Sequence, residues 1–239
     1  MHLRRLAIAL AALSLFSGCA SKAPPVQIPT IRTIAIVSAS DPGVLTVEKP
    51  RLYAGLDYAG KARHQMEVAG MQDQLKFSLG VPTLRFGTSI TDQVADTLRK
   101  AGFDVTILDY VSRSGPTQDE VDLRSLTYSA DAVLQVRITR FGIYSTSKPN
   151  SYSPYLRVRG IMYAKSLPRP IVDAEVYAGT DASPGDVSQI VLNPNQEYVF
   201  YDMLSTRNQE LKATLVTAGQ KSAQQLATQV LEVIANARK

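Results

Sequence analysis

The chain has no tryptophan, one cysteine and two histidines in 239 residues. A single cysteine excludes an intramolecular disulfide and every metal site built on paired thiols. His2 lies in an apolar N-terminal segment, which leaves His64, beside Arg63, without a second histidine at ligand spacing. There is no G-x-S-x-G nucleophile elbow and no phosphate-binding P-loop. Carboxylate-only hydrolysis needs just two acids, and nothing in the sequence selects a pair. These absences lead to the expectation of a protein that is not an enzyme and holds neither metal nor cofactor. Aromatics make up only 7% of residues, so aliphatic side chains must fill most of any core. The formal net charge is +5, and falls to +3 without Arg4 and Arg5, too mild to argue for nucleic acid. Long apolar runs are also missing, since a bilayer span needs about 20 residues and no later segment approaches that.

What is present begins at the N-terminus. Arg4 and Arg5 precede LAIALAALSLF (Leu6 to Phe16), an uncharged run of half a span, and then the small residues Ser17 and Gly18. A basic start, a short apolar stretch and a small-residue zone describe a secretory signal. Cys19 follows directly. The stretch LFSGC resembles the lipobox of bacterial lipoproteins, with Phe16 where leucine is usual. The resemblance implies cleavage before Cys19, so that residues 1–18 are a signal peptide, and covalent lipid on the Cys19 sulfur and amine. Ordinary cleavage, leaving a free thiol, is the alternative, and a lone thiol is a liability in an oxidising compartment. Several acyl chains hold a domain at a membrane where one holds it only reversibly. Ala20 and Ser21 stand where the resembled family has aspartate for inner-membrane retention, which implies the periplasmic face of the outer membrane. Ala20 to Thr30 (ASKAPPVQIPT) carries three prolines and reads, with Cys19, as a tether over 19–30, about 34 Å long at about 3.1 Å per residue.

The remainder, 31–239, reads as one α/β domain. Ile31 to Ser38 has the β-branched, apolar character of a strand buried on both faces. Val44 to Val47 suggests a short second strand. Residues 50–83 show no clear pattern and read as a long loop or a hairpin. Ser89 is expected to cap a helix carrying Ile90, Val94, Leu98 and Ala101 on one face, ended by Gly102, before a strand at Phe103 to Asp109. Asp119 to Ser129 suggests a short helix with an acidic start. Three segments then alternate: Leu134, Val136 and Ile138 against Gln135, Arg137 and Thr139; Leu156, Val158 and Met162 against Arg157, Arg159 and Tyr163; Val172, Ala174 and Val176 against Asp173, Glu175 and Tyr177. Such alternation predicts antiparallel strands with one covered face. A C-terminal helix is expected from Thr206 and Gln209 as a capping box, with Gly219 as a break or bend.

The fold class expected is α/β (α+β), a two-layer sandwich of a mixed sheet with antiparallel late strands and helices on one face. The order of IRTIAIVS, ADTLRKAGFDVTILD and ADAVLQVRITRFG resembles the α/β domains of curli-secretion lipoproteins and penicillin-binding-protein-activator lipoproteins. That likeness is one of element order and carries no active residues. The candidate binding residues are Arg137, Arg157, Arg159, Tyr163 and Tyr177 on the outward strand face, with Tyr144, Tyr152 and Tyr155 on an exposed hairpin. Tyrosine and arginine are the residue types enriched at interface hot spots, although paired charge on an open sheet is an ordinary solubility device. The expected role is a lipid-anchored envelope accessory protein that binds another envelope protein. A binder of cell-wall glycan or a small ligand is the alternative.

Overall fold

The computed structural model describes residues 28–42, 45–49, 57–81, 84–113, 121–145, 150–179, 187–192 and 197–236. The signal segment and Cys19 lie outside the described residues. Eight strands form one mixed sheet, open rather than closed into a barrel: β1 (Thr33–Val37), β2 (Thr46–Glu48), β3 (Asp104–Leu108), β4 (Ala132–Ser145), β5 (Ser151–Ala164), β6 (Val172–Gly179), β7 (Ser188–Val191) and β8 (Tyr198–Val199). The spatial order is β3-β1-β4-β5-β6-β7, with β2 on β4 and β8 on β5. The helices are α1 (Tyr58–Leu79), α2 (Phe86–Lys100), α3 (Phe200–Leu204) and α4 (Asn208–Asn236). All four contribute to one apolar cluster on one side of the sheet.

The parallel part is built by β1, which pairs with both β3 and β4. It is buried along nearly its whole length, as its unbroken apolar run predicts. Asp131 holds it in register. Its Oδ2 accepts hydrogen bonds from the N–H groups of Arg32 and Thr33 at 2.9 Å, while the Asp131 N–H donates to Thr33 Oγ1. β4 and β5 are 14-residue antiparallel strands, and β6 continues the meander. Leu134, Val136, Val158, Met162, Val172 and Val176 all enter the helix-side core, as the alternation predicts. A bulge between Ile138 and Arg140 then shifts the phase, so that Phe141 and Ile143 continue the inward set.

Several expectations are corrected. Residues 58–79 are helical, neither loop nor hairpin. Asp57 caps α1, its carboxylate accepting from the Gly60 N–H, and left-handed Gly80 ends it. Ser89 is not the cap of α2. The helix starts at Phe86 behind Arg85, which is left-handed, and the Ser89 N–H already donates to the Arg85 carbonyl. Asp41, reaching from the end of β1, accepts the Gly87 N–H at 2.7 Å and supplies the negative charge a helix start favours. Residues 121–129 form a turn and irregular chain instead of a helix, because Asp122 spends its carboxylate and its carbonyl on Arg124 and Ser125. α4 begins one residue later than Thr206 and Gln209 imply. Arg207 supplies the first carbonyl acceptor and forks onto Glu210 at 2.7 and 2.8 Å, while its guanidinium lies over the Tyr198 ring at 4.3 Å.

Gly219 does not break α4, which runs unbroken for 29 residues. It faces α2, where an added Cβ would lie 3.4 Å from Ile90 Cγ1 and 3.6 Å from Phe86 Cδ1. That is ordinary contact, so Gly219→Ala should raise stability by about 0.5–1 kcal/mol through helix propensity alone. Gly142 is different, because a Cβ there would run into the Thr46 carbonyl of β2. Gly142→Ala should therefore cost about 2–3 kcal/mol by forcing β2 off β4. Urea denaturation midpoints of the two variants, compared at equal m-value, check both signs.

Candidate functional site

The face of β4, β5 and β6 that turns away from the helices carries most of the residues singled out in the sequence. Pairing places Arg137 opposite Arg159, and Arg159 opposite Glu175. A second row sets Arg140 opposite Arg157, and Arg157 opposite Tyr177. Like charges directly across a ladder repel, so each cation needs an acid of its own. Arg159 forks onto Asp173, Nε to Oδ1 at 2.8 Å and Nη2 to Oδ2 at 2.7 Å. Arg157 approaches Glu175 at 3.7 Å and lies over the Tyr177 ring at 5.3 Å. Arg140 reaches Glu48 at 3.4 Å. The Arg159 fork holds the Asp173 carboxyl below its ordinary value, and Asp173 in turn raises Arg159. Both side chains are well exposed, so the pair contributes at most about 1 kcal/mol.

The tyrosines behave differently from expectation. Tyr144, Tyr155 and Tyr177 do lie on this face, but they bury one another to 7%, 3% and 6% exposure. Ring centroids are 6.1 Å apart for Tyr144 and Tyr155 and 6.4 Å for Tyr155 and Tyr177, and Val187 packs on the group. Burial, reinforced by the hydrogen bond its hydroxyl donates to Glu48, raises the Tyr155 phenol well above its ordinary value. Tyr152 is on the opposite face altogether. It lies in the helix-side core, edge-on to Phe200 at 6.1 Å with the Lys49 ammonium 5.8 Å from its ring. The expected exposed, tyrosine-bearing hairpin is therefore a buried aromatic cluster plus a core residue. Tyr163 stands at the other end of the outward face, half-buried, with the Arg124 guanidinium 5.7 Å from its ring. The segment 121–130 covers the sheet there, packing Leu123 and Ala130 on Ala35, Val37 and Val133.

Three large exposed apolar side chains lie elsewhere, on an element the sequence did not disclose, while Tyr110 and Val191 stand exposed singly. In α1 only Met71, Leu75 and Leu79 are buried. At about 100° per residue, Met66 and Phe77 fall opposite them, with Tyr58 to one side. These three are 72%, 91% and 91% exposed. Ala59, Ala62, Ala69 and Gly70 fill the rest of this outer face, with Asp73 among them and Arg63 and Lys76 at its margins. The band continues across a cleft of about 490 Å³ to exposed Val199 and Tyr201. In the cleft wall, Lys49 donates to Glu67 at 2.7 Å. Burial is the largest single influence on Lys49 and opposes its charge, but Glu67 and Tyr152 together outweigh it and leave the ammonium pKa raised; Lys49 holds Glu67 more acidic than usual. His64 and Val68 line a second cleft on the other flank of α1 with Val47 and Gln72.

Among the described residues no three His, Cys, Asp or Glu side chains gather as metal ligands would, and no helix is long and apolar enough to cross a membrane. No protein-family model matches the chain, and no curated protein matches it. Among solved structures, a hypothetical protein from Chlamydia trachomatis matches over 85% of this chain and 98% of its own, with TM-score 0.38 and 10% identity. A protein from Xanthomonas campestris matches over 90% and 91%, with TM-score 0.37 and 12% identity. A lipoprotein from Neisseria meningitidis matches over 64% and 87%, with TM-score 0.27 and 12% identity. Scores of this size assign neither a family nor a function.

The acids of this fold set its response to pH. Asp131, Asp173, Glu67 and Glu210 are all held below their ordinary values, Asp131 by the Arg32 and Thr33 N–H groups and the others by Arg159, Lys49 and Arg207. The unfolded chain therefore binds more protons through the acid range. Stability should hold above about pH 5 and fall as pH drops through about 4. Urea unfolding followed from pH 3 to 7 tests this, and Asp131→Asn should flatten the acid limb.

Proposed function

We propose that the chain is a lipid-anchored accessory protein of the bacterial envelope, held by Cys19 at the periplasmic face of the outer membrane, which acts by binding another envelope protein and not by catalysis. The observation that carries the binding role is the outer face of α1, where Met66, Phe77 and Tyr58 stand in solvent beside Val199 and Tyr201. A helix in a monomer turns its large apolar residues inward, and contiguous exposed ones mark an interaction surface. The LFSGC motif and the proline-bearing tether support the anchored location. A tether of this length keeps the domain near the membrane while leaving it free to reorient, which suits capture of a partner in the same envelope.

A second reading is favoured by the cleft between α1 and Tyr201. Its Tyr201 ring, Gln74 and Asn150 combine an aromatic face with amides, the chemistry that receives sugars. Sedimentation with isolated cell wall separates the two: co-pelleting lost in Tyr201→Ala selects the glycan.

The anchor and the surface are tested separately. Cys19→Ser should abolish labelling by radioactive palmitate and move the protein from the membrane to the soluble fraction. For the surface, a photo-crosslinking residue placed at Met66 or Phe77 of the full chain in living cells should give one discrete adduct, absent when the same probe sits at Asp96 on α2. Indistinguishable adduct patterns from all three positions would end the proposal of an α1 interface.

A further inference from the structure

On the face of the sheet away from α1, one arginine of β4 and β5 has no acid partner among the described residues. Of the four arginines on β4 and β5, Arg140, Arg157 and Arg159 each have an acid, namely Glu48, Glu175 and Asp173. Arg137 has none among the described residues, and its Nε is buried without a hydrogen bond. It also faces Arg159 directly across the ladder, a like-charge pairing that Asp173 relieves on one side only. β1 ends its pairing with β4 at Gln135, two residues before Arg137, so the edge of β4 is unpaired by β1 from there on. A recess of about 250 Å³ lies at that point between residues 121–124 and the strands, lined by Arg124, Gln135, Arg137 and Tyr163, with Asp122 as its one acid among the described residues. Asp122 accepts the Arg124 N–H at 3.1 Å.

We propose that this recess binds the carboxylate of a small molecule or chain end, with Arg137 as its principal ligand. The same face shows how the bond would be made. Arg159 grips Asp173 side-on, through Nε and Nη2 together, and Arg137 presents an equivalent guanidinium with no carboxylate on it. Turning the Arg137 guanidinium brings its Nε edge to the recess, and the incoming carboxylate then serves both the buried N–H and the unrelieved pairing with Arg159. The volume suits a group of acetate to amino-acid size, free or at the end of a chain. Planar, two-point recognition favours a carboxylate over a spherical halide. The site is separate from the α1 surface and stands or falls independently of it.

The test uses the full lipidated chain in detergent, with sodium acetate, N-acetylglycine, inorganic phosphate and sodium chloride compared at constant ionic strength. The readout is the ¹⁵N Nε–Hε resonance of Arg137. Acetate and N-acetylglycine should shift it saturably, and tighter binding of N-acetylglycine identifies a chain end as the occupant. Arg137→Lys keeps the charge and the fold but loses the fork, and should weaken carboxylate binding, read by thermal midpoint, by at least about tenfold. Arg140→Gln, on the same face, should leave it unchanged. Equal responses to acetate and chloride, tighter binding of phosphate than of either carboxylate, or an Arg137→Lys variant that binds as before would each overturn the proposal.

Discussion

The long C-terminal helix lying across the β4–β5–β6 meander is the contact on which the rest of the fold depends. Leu211, Leu215, Leu226, Val230 and Ile234 of α4 are all buried against the sheet layer. The helix comes close because β5 has a glycine at its centre. A Cβ on Gly160 would lie 2.8 Å from Leu226 Cδ1, so Leu226 seats in the gap that residue leaves. α2 packs on the other flank of α4, again over a glycine, at Gly219. Two missing side chains thus set the depth of the helix layer, and aliphatic residues fill it, in a chain without tryptophan.

The opposite side of the sheet is organised by charge instead of apolar area. Arginine–acid pairs occupy its middle, a tyrosine cluster closes one end and the 121–130 segment covers the other. Pairs of this exposure add little to stability, but they fix which cation holds which acid. Against that division, α1 and the recess at Arg137 are two places among the described residues where the surface departs from a self-satisfied arrangement. They lie on opposite sides of the sheet, one apolar and one cationic.

The core strands and α2 were legible because each turns a single apolar stripe inward with a regular period, as Leu134, Val136 and Ile138 do. α1 was hidden for a physical reason. Its buried set, Met71, Leu75 and Leu79, is opposed by Met66 and Phe77 on the far side, so no one-sided pattern remains to be seen. β7 and β8 have four and two residues, too short for alternation to register. Alternation also says only that Tyr155 and Tyr177 point to the second face, not that they meet there and bury one another. The orphan cation at Arg137 is invisible in sequence, since it depends on which acid each neighbour takes. The phase shift at Ile138 to Arg140 turns Tyr144 to the side of Tyr155, whereas Tyr152 enters the core on the unbroken alternation of β5 that also buries Leu156, Val158 and Met162.

The bond between Asp131 and the start of β1 joins residues 98 and 99 positions apart. Closing so long a loop costs entropy that local contacts must meet first. The β4–β5 hairpin, with its short connection, has no such cost. The order of assembly therefore runs against the order of synthesis: the first strand made is among the last to be placed. Until 104–132 has been made, β1 has neither of its neighbours, and its apolar TIAIV remains an open strand edge. A chain assembled in this order needs its first strand shielded in the interval, a demand that comes from topology alone.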